Sequence, residues 1–209
     1  MIGGLRLKRA RRRWYIPYQE ARMNMTATTT DLLTYDEFVR RHGDEKLVDL
    51  VNGRVVRYSM PHSEHGYISG NVMLLIGGFA KANGRGRGFT CDTFIRTKID
   101  PPCCRGADFC FVSYTRMSKE QRVPAGPIVV APELVVEVRS PTDRSGAVNE
   151  KVDEYLAAGI GVVVVIDPET ESLAVHRKDE LPIRMHNGDE LTLPDVLPGF
   201  AVQVKAFFE

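Results

Sequence analysis

The sequence predicts one α/β domain built around a mixed sheet. Residues 134–139, 147–158 and 161–166 have the patterns of a strand, a helix and a strand. Such a unit makes a parallel pair of strands joined by a right-handed crossover. A second observation is Asn52-Gly53, which lies between two strand-like runs and is the strongest short signal for a β-hairpin. Together the two observations predict a sheet with both parallel and antiparallel neighbours.

Two helices are predicted before most of the strands. Thr34 and, three residues later, Glu37 form a capping box, which predicts a short helix that ends near His42. Pro61 leads into a second helix of about 20 residues, whose apolar side chains recur at helical spacing. Asn83-Gly84 ends this second helix.

Residues 84–88 alternate glycine and arginine and predict a turn between the second helix and the sheet. They match neither a P-loop nor a dinucleotide-binding fingerprint. Four further apolar runs predict strands, the last two at the far edge of the sheet: 89–99, 107–112, 172–177 and 200–208.

The composition is that of a soluble globular domain. The chain has 209 residues, of which 43% are hydrophobic and 26% are charged. No apolar run approaches the ~18–20 residues of a membrane span, and the basic N-terminal segment lacks the apolar core of a signal peptide. The cysteines Cys91, Cys103, Cys104 and Cys110 include no C-x-x-C pair, which favours reduced, structural thiols. We therefore expect a cytoplasmic protein that does not contact membranes.

The charge is divided unevenly along the chain. The formal net charge is +1, of which residues 1–24 carry +6, so residues 25–209 carry −5. We expect residues 1–33 to form a basic, disordered extension and residues 34–209 to form the domain. A basic arm can hold nucleic acid through phosphate contacts. Alternatively, Met25 is an equally good start, and the residues before it are an upstream extension of the reading frame.

Two carboxylates interrupt apolar strands, Asp108 and Glu137. Burying an unpaired carboxylate costs several kcal/mol, roughly, so such a group has a metal ion, a cation or a raised pKa. Two carboxylates at the same depth of a sheet bind a hard divalent cation such as Mg²⁺ or Mn²⁺. The cation would polarise a phosphate and lower the pKa of a bound water. Taken singly, each acid is also explained by a salt bridge to an arginine such as Arg139 or Arg96.

Lys151 is the third candidate. On the helix predicted at 147–158, it is the only charged residue on the arc that includes Val148, Val152 and Tyr155. One interpretation aims its ammonium at the activated water or the scissile phosphate. The other is a lysine whose stem passes the edge of the core and whose amine reaches solvent.

His65 and Asp49 are further candidates. His65 lies in the first turns of the second helix, where it could reach a phosphate or orient a water, but a partly exposed surface histidine explains it as well. Asp49 shares a face of the hairpin with Leu47 and Val51, so a carboxylate again interrupts an inward row. A salt bridge on the face of the hairpin is the alternative.

The ordered set of these residues resembles the Uma-two family, which is classed with restriction endonucleases in the PD-(D/E)XK nuclease superfamily. The resemblance spans residues 34–168. Its marks occur in this order: residues 47–53, His65, Ala107-Asp108, residues 134–141, Lys151, Tyr155, Gly159 and Asp167-Pro168.

The resemblance implies a single domain with a restriction-endonuclease-like core, preceded by a hairpin and a helix. It implies that Asp108 and Glu137 bind metal, and that Lys151 replaces a lysine usually found two residues after the glutamate. Arg139 occupies that usual position here. Two departures are an alanine in place of the family's proline before Asp108, and Asp49 in place of the family's glutamate.

The preferred hypothesis is a Mg²⁺- or Mn²⁺-dependent endonuclease that hydrolyses DNA phosphodiester bonds. Asp108 and Glu137 would be the metal ligands and Lys151 would orient the water and stabilise charge, with Asp49 and His65 in support. Cleavage of both strands would be simplest for a homodimer. Two alternatives stay open: an inactive nuclease-fold protein that binds nucleic acid or a protein partner, and a metal-dependent phosphoesterase acting on small molecules.

Overall fold

The structure, a computed structural model, describes three stretches of the chain: residues 32–124, 126–141 and 143–209. The prediction of an extension over residues 1–33 therefore falls outside the described residues, except for Leu32 and Leu33. Leu33 is buried, and its amide donates to the carbonyl oxygen of Gly53 at 2.7 Å. Within the described stretches, no helix has both the length and the apolar character needed to cross a membrane.

The α-helices of the described chain all precede β6, and the last five strands follow α4. The helices are α1 (Tyr35–His42), α2 (Ser63–Val72), α3 (Gly78–Ala82) and α4 (Ser145–Ala157), with a π-helical turn at Met73–Gly77 and a 3₁₀ turn at Val204–Phe207. The strands are β1 (Val48–Val51), β2 (Arg54–Arg57), β3 (Gly86–Lys98), β4 (Cys103–Ser113), β5 (Leu134–Val138), β6 (Val162–Asp167), β7 (Ser172–Arg177), β8 (Ile183–His186), β9 (Glu190–Thr192) and β10 (Ala201–Gln203). The capping box of α1 is formed as predicted, and the predicted second helix corresponds to α2, the π-helical turn and α3 in succession.

One mixed sheet organises the domain. Its strand order is β2-β1-β4-β5-β6-β7-β8, with β3 paired to β4. Strands β5 and β6 are parallel, from Leu134 opposite Val162 to Val138 opposite Ile166, and the remaining neighbours in this sheet are antiparallel. The prediction of a single α/β domain with a mixed sheet is confirmed.

Alternation along β5 divides its side chains between two cores. Leu134, Val136 and Val138 join the core that packs against α2. Val135 joins the core on the other face, which includes Val152 of α4. The side chain of the intervening glutamate therefore emerges on the face that α4 covers.

The predicted turn over residues 84–88 is only partly formed, because the turn lies at Asn83 and Gly84 and β3 already begins at Gly86. Gly86 pairs with Ser113, and a Cβ at this position would lie 2.2 Å from the carbonyl oxygen of Val112. The glycine thus permits a close approach of two strands, and it does not mark a reversal of the chain.

The predicted edge strand over residues 200–208 is also only partly formed. Ala201–Gln203 is extended, but it pairs with β9 in a separate two-stranded sheet. Val204 and Phe207 are both fully buried. Their spacing of three residues fits the 3₁₀ turn, in which such side chains share one side, and does not fit a strand.

Candidate functional site

Asp108 and Glu137 lie where β4 and β5 separate. The last pair of this ladder is Phe109 opposite Val136. One further step of the same register places Asp108 opposite Glu137, where the strands no longer pair. The amide of Val138 instead donates to Asp108 Oδ2 at 2.8 Å. The two predicted carboxylates therefore meet at one end of the β4–β5 ladder.

Lys151 points into this site from α4. Its Nζ donates to Glu137 Oε2 at 2.8 Å and to the carbonyl oxygen of Gly106 at 3.0 Å. The hydroxyl of Tyr155, one helical turn later, donates to Glu137 Oε1 at 2.8 Å. Both oxygens of Glu137 are thus held by side chains of one helix face. The lysine side chain is 21% exposed, so its amine is directed at the carboxylate and not at bulk solvent.

The charges of the site shift the pKa values of its groups. Burial raises the pKa of Glu137 to about 7, and the charge of Asp108 adds to this, although Lys151 and Tyr155 act in the opposite direction. Burial lowers the pKa of Lys151, but the negative charges of Glu137, Asp49 and Asp108 outweigh burial and raise it. Lys151 therefore stays protonated while Glu137 titrates near neutrality.

The raised pKa of Glu137 should make the stability of the metal-free protein depend on pH. Between its usual 4.5 and about 7, the folded state holds a proton that the unfolded state has released. The free energy of unfolding should therefore fall as pH rises through this window, by up to about 3 kcal/mol from this group.

Urea unfolding at pH 5 and pH 8 in the presence of a chelator measures this fall. The Glu137→Gln variant lacks the titrating group and should show a smaller decline, whereas the contribution of His65 remains in both proteins. Equal declines in the variant and the wild type would contradict the prediction.

His65 approaches the same carboxylates from α2. Its Nε2 lies 3.2 Å from Asp108 Oδ2. Burial lowers the pKa of His65, but the hydrogen bond to Asp108 and the charges of Asp108 and Glu137 outweigh burial and raise it. Burial likewise raises the pKa of Asp108, but its hydrogen bonds with His65 and the Val138 amide, together with the charges of His65 and Lys151, lower it overall. The two groups form an ion pair when His65 is protonated.

Asp49 lies behind the site. Its Oδ1 accepts the amide N–H of Gly106 at 2.8 Å, and its Oδ2 accepts the Tyr58 hydroxyl at 2.8 Å and Arg105 Nη1 at 3.4 Å. The side chain is only 3% exposed. Asp49 thus forms the salt bridge that the sequence left open. It is connected to Lys151 through Gly106, whose N–H donates to Asp49 and whose carbonyl oxygen accepts the lysine.

The two arginines considered as partners of the acids lie elsewhere. Arg139 Nη1 bonds Asp167 Oδ2 at 2.5 Å, and its Nε is buried without a partner among the described residues. Arg96 stacks on the ring of Tyr35 at 4.6 Å. Neither arginine forms a salt bridge with Glu137 among the described residues.

Sequence reasoning did not identify Arg105 and Glu154. The Arg105 Nε donates to both oxygens of Glu154 at 3.1 Å, and its guanidinium also contacts Asp49. Arg105 is buried. One signal was present, because Arg105 interrupts the otherwise apolar strand that carries Asp108. Its partners were not readable, since they lie 56 residues earlier and 49 residues later in the chain.

Asp92 also borders the site without having been predicted. It occupies an irregularity of β3, where Cys91 and Asp92 have φ values of 64° and 56°. Burial raises the pKa of Asp92, as does the charge of Asp108, and the charge of Asp92 in turn raises that of His65. No sequence pattern marks this irregularity, because it depends on the register between β3 and β4.

The donor set of Asp108 and Glu137 suits a hard divalent cation. Both contacts at Asp108 go to Oδ2, so among the described residues Oδ1 accepts no hydrogen bond. Nowhere in the described part of the chain do three or more Asp, Glu, His or Cys side chains form a metal-binding group. Mg²⁺ needs only one or two carboxylates because it keeps several waters, whereas a structural zinc site needs four protein ligands. The residues fit Mg²⁺ or Mn²⁺.

Comparisons with known proteins identify the family and the fold of the chain. Residues 35–205 match the model of the Uma2 family, whose description is "Putative restriction endonuclease". A crystal structure from Anabaena variabilis, described as "a putative nuclease belonging to DUF820", superposes with a TM-score of 0.72 and 19% sequence identity. The superposition covers 84% of this chain and 97% of the Anabaena chain, which shows a shared fold. No curated protein matches the chain.

Proposed function

The chain belongs to the Uma2 family, and we propose that it is a Mg²⁺- or Mn²⁺-dependent endonuclease that hydrolyses phosphodiester bonds of DNA. The family and the fold are those described for nucleases. The observation that carries the proposal is the convergence of Asp108, Glu137 and Lys151, from two strands and a helix, on one site.

Asp108 and Glu137 would hold the cation. When bound, a divalent cation neutralises charge on the phosphate and activates a water for attack. Tyr155 holds Glu137 Oε1 from the side, which fixes the orientation of this carboxylate.

Lys151 would stabilise the charge that develops on the phosphate. An ammonium has three donors, and two of them are used by Glu137 and Gly106. The third is left to orient a water or to bind a phosphate oxygen. Because the pKa of Lys151 is raised, the group carries its charge throughout the neutral pH range.

His65 and Asp49 would support these groups. Protonated His65 adds positive charge beside Asp108, where a phosphate would lie. Asp49 acts from behind through Gly106. A homodimer would present two such sites to the two strands of a duplex.

Cleavage of supercoiled plasmid DNA tests the proposal. Purified protein with Mg²⁺ or Mn²⁺ should convert the plasmid to open-circular or linear forms, and excess chelator should stop the reaction. No cleavage with either metal would contradict the proposal. Faster hydrolysis of a small chromogenic phosphodiester than of DNA would instead support a phosphoesterase acting on small molecules.

One observation favours a second candidate, an inactive nuclease-fold protein that binds nucleic acid or a protein. Both oxygens of Glu137 already accept hydrogen bonds, from Lys151 and Tyr155, so the carboxylate is satisfied without a metal. Calorimetric titration with Mn²⁺ separates the two candidates. Saturable uptake supports the nuclease, and no uptake at millimolar metal supports the binding protein.

A further inference from the structure

We propose that a buried cluster of Asp49, Arg105 and Glu154 positions the ammonium of Lys151. The proposal rests on the proposed function, because it assigns a role in the same site. Its three members touch neither Glu137 nor Asp108 by any hydrogen bond among the described residues. They are therefore positioning residues and not catalytic ones.

The cluster consists of two buried ion pairs that share Arg105. The side chains of Asp49, Arg105 and Glu154 are 3%, 9% and 16% exposed, respectively. Arg105 contacts Glu154 through Nε and Nη2 and contacts Asp49 through Nη1. The hydroxyl of Thr97 also donates to Glu154. Breaking one link leaves a buried charge without its partner, so the geometry is strongly specified.

Two consecutive residues of β4 connect the cluster to α4. The side chain of Arg105 binds Glu154. The carbonyl oxygen of the following residue, Gly106, accepts Lys151 Nζ at 3.0 Å. Lys151 and Glu154 are three residues apart on α4 and are neighbours on its surface. The arc that faces the sheet therefore carries two charges, and the prediction of a single charge there is wrong. The Arg105–Glu154 pair fixes the position of α4 along β4, and the bond to the Gly106 carbonyl oxygen fixes the position of the Lys151 amine.

Asp49 holds the same residue, Gly106, through its backbone N–H. Its Oδ1 accepts the N–H of Gly106 at 2.8 Å, and the carbonyl oxygen of Gly106 accepts the lysine. The Gly106 backbone is thus held by one charged side chain on each of its polar atoms. Without these supports, a lysine side chain that is 21% exposed can swing its amine into water.

The test compares Glu154→Gln with Asp195→Asn. Asp195 forms a similar two-pronged pair with Arg177, at 2.8 and 3.1 Å, on the exposed surface. The first readout is the rate at which an amine-reactive reagent modifies Lys151, followed by mass spectrometry in metal-free protein. Glu154→Gln should label faster at Lys151 than wild type, and Asp195→Asn should match wild type.

The second readout is DNA cleavage. Glu154→Gln should lower kcat by about 10- to 100-fold, the size of effect expected for a small misplacement of a catalytic group, with little change in KM. In a Lys151→Met background the same substitution should cause no further loss, because the residue through which it acts is gone. A merely structural role would lower activity in both backgrounds alike.

The outcomes separate the two proposals. Unchanged labelling of Lys151 in Glu154→Gln, or equal losses in both backgrounds, would overturn the positioning role. A wild-type protein without nuclease activity would overturn the proposed function, and the labelling experiment would still decide the positioning role. If Glu154→Gln does not fold, Asp49→Asn provides the same comparison, since it weakens the support of Gly106 at the other end of the cluster.

Discussion

Replacing Lys151 with methionine should lower the rate of DNA cleavage by about 10²- to 10³-fold, the usual cost of removing one preorganised donor from a charged transition state. Methionine keeps much of the apolar stem of lysine but removes the charge and the hydrogen bonds to Glu137 and Gly106. Single-turnover cleavage of a labelled duplex, with enzyme in excess, measures the chemical step directly.

Lys205→Met is the matched control for this substitution. Lys205 pairs with Glu209 at 3.3 Å on the exposed surface, where ion pairs contribute little. The Lys205→Met variant should cleave DNA at the wild-type rate. If Lys151→Met cleaves at the wild-type rate, Lys151 has no part in the reaction and any activity arises elsewhere.

Replacing Asp108 with asparagine should reduce cleavage by about 10³-fold or more, because a bound cation supplies several kcal/mol of charge stabilisation. Asparagine keeps the shape of the side chain and an oxygen for the Val138 amide. It loses the negative charge that attracts both the cation and His65. Cleavage and Mn²⁺ affinity should fall together, since one group is responsible for both.

Asp153→Asn is the control for this second substitution. Asp153 lies on α4 between Lys151 and Glu154 but is exposed. The variant should retain both cleavage and metal affinity. Unchanged Mn²⁺ affinity in Asp108→Asn would show that the cation binds elsewhere.

The central strand–helix–strand unit was predictable because its signals are local. The apolar runs that became β5 and β6, and the helical pattern that became α4, each lie within a dozen residues. The hairpin at Asn52-Gly53 was predictable for the same reason. The C-terminal elements were not predictable. The apolar residues Val204 and Phe207 suit a strand or a 3₁₀ turn equally well, and packing against the rest of the core decided in favour of the turn.

Residues of the site were likewise predictable only where their signal was local. Asp108, Glu137 and Lys151 stood out because each places a charge where its neighbours are apolar. The cluster of Asp49, Arg105 and Glu154 did not, since it joins three segments about 50 residues apart. Pairing between distant charges depends on strand register, and no local sequence pattern records that register.

The most direct measurement is anomalous X-ray diffraction from crystals of the protein soaked in Mn²⁺. We predict one peak within about 2.0–2.6 Å of carboxylate oxygens from both Asp108 and Glu137, the range of oxygen–cation distances for hard divalent ions. A crystal that shows no Mn²⁺ at these two side chains, or shows it only at other carboxylates, would contradict a metal-dependent nuclease site.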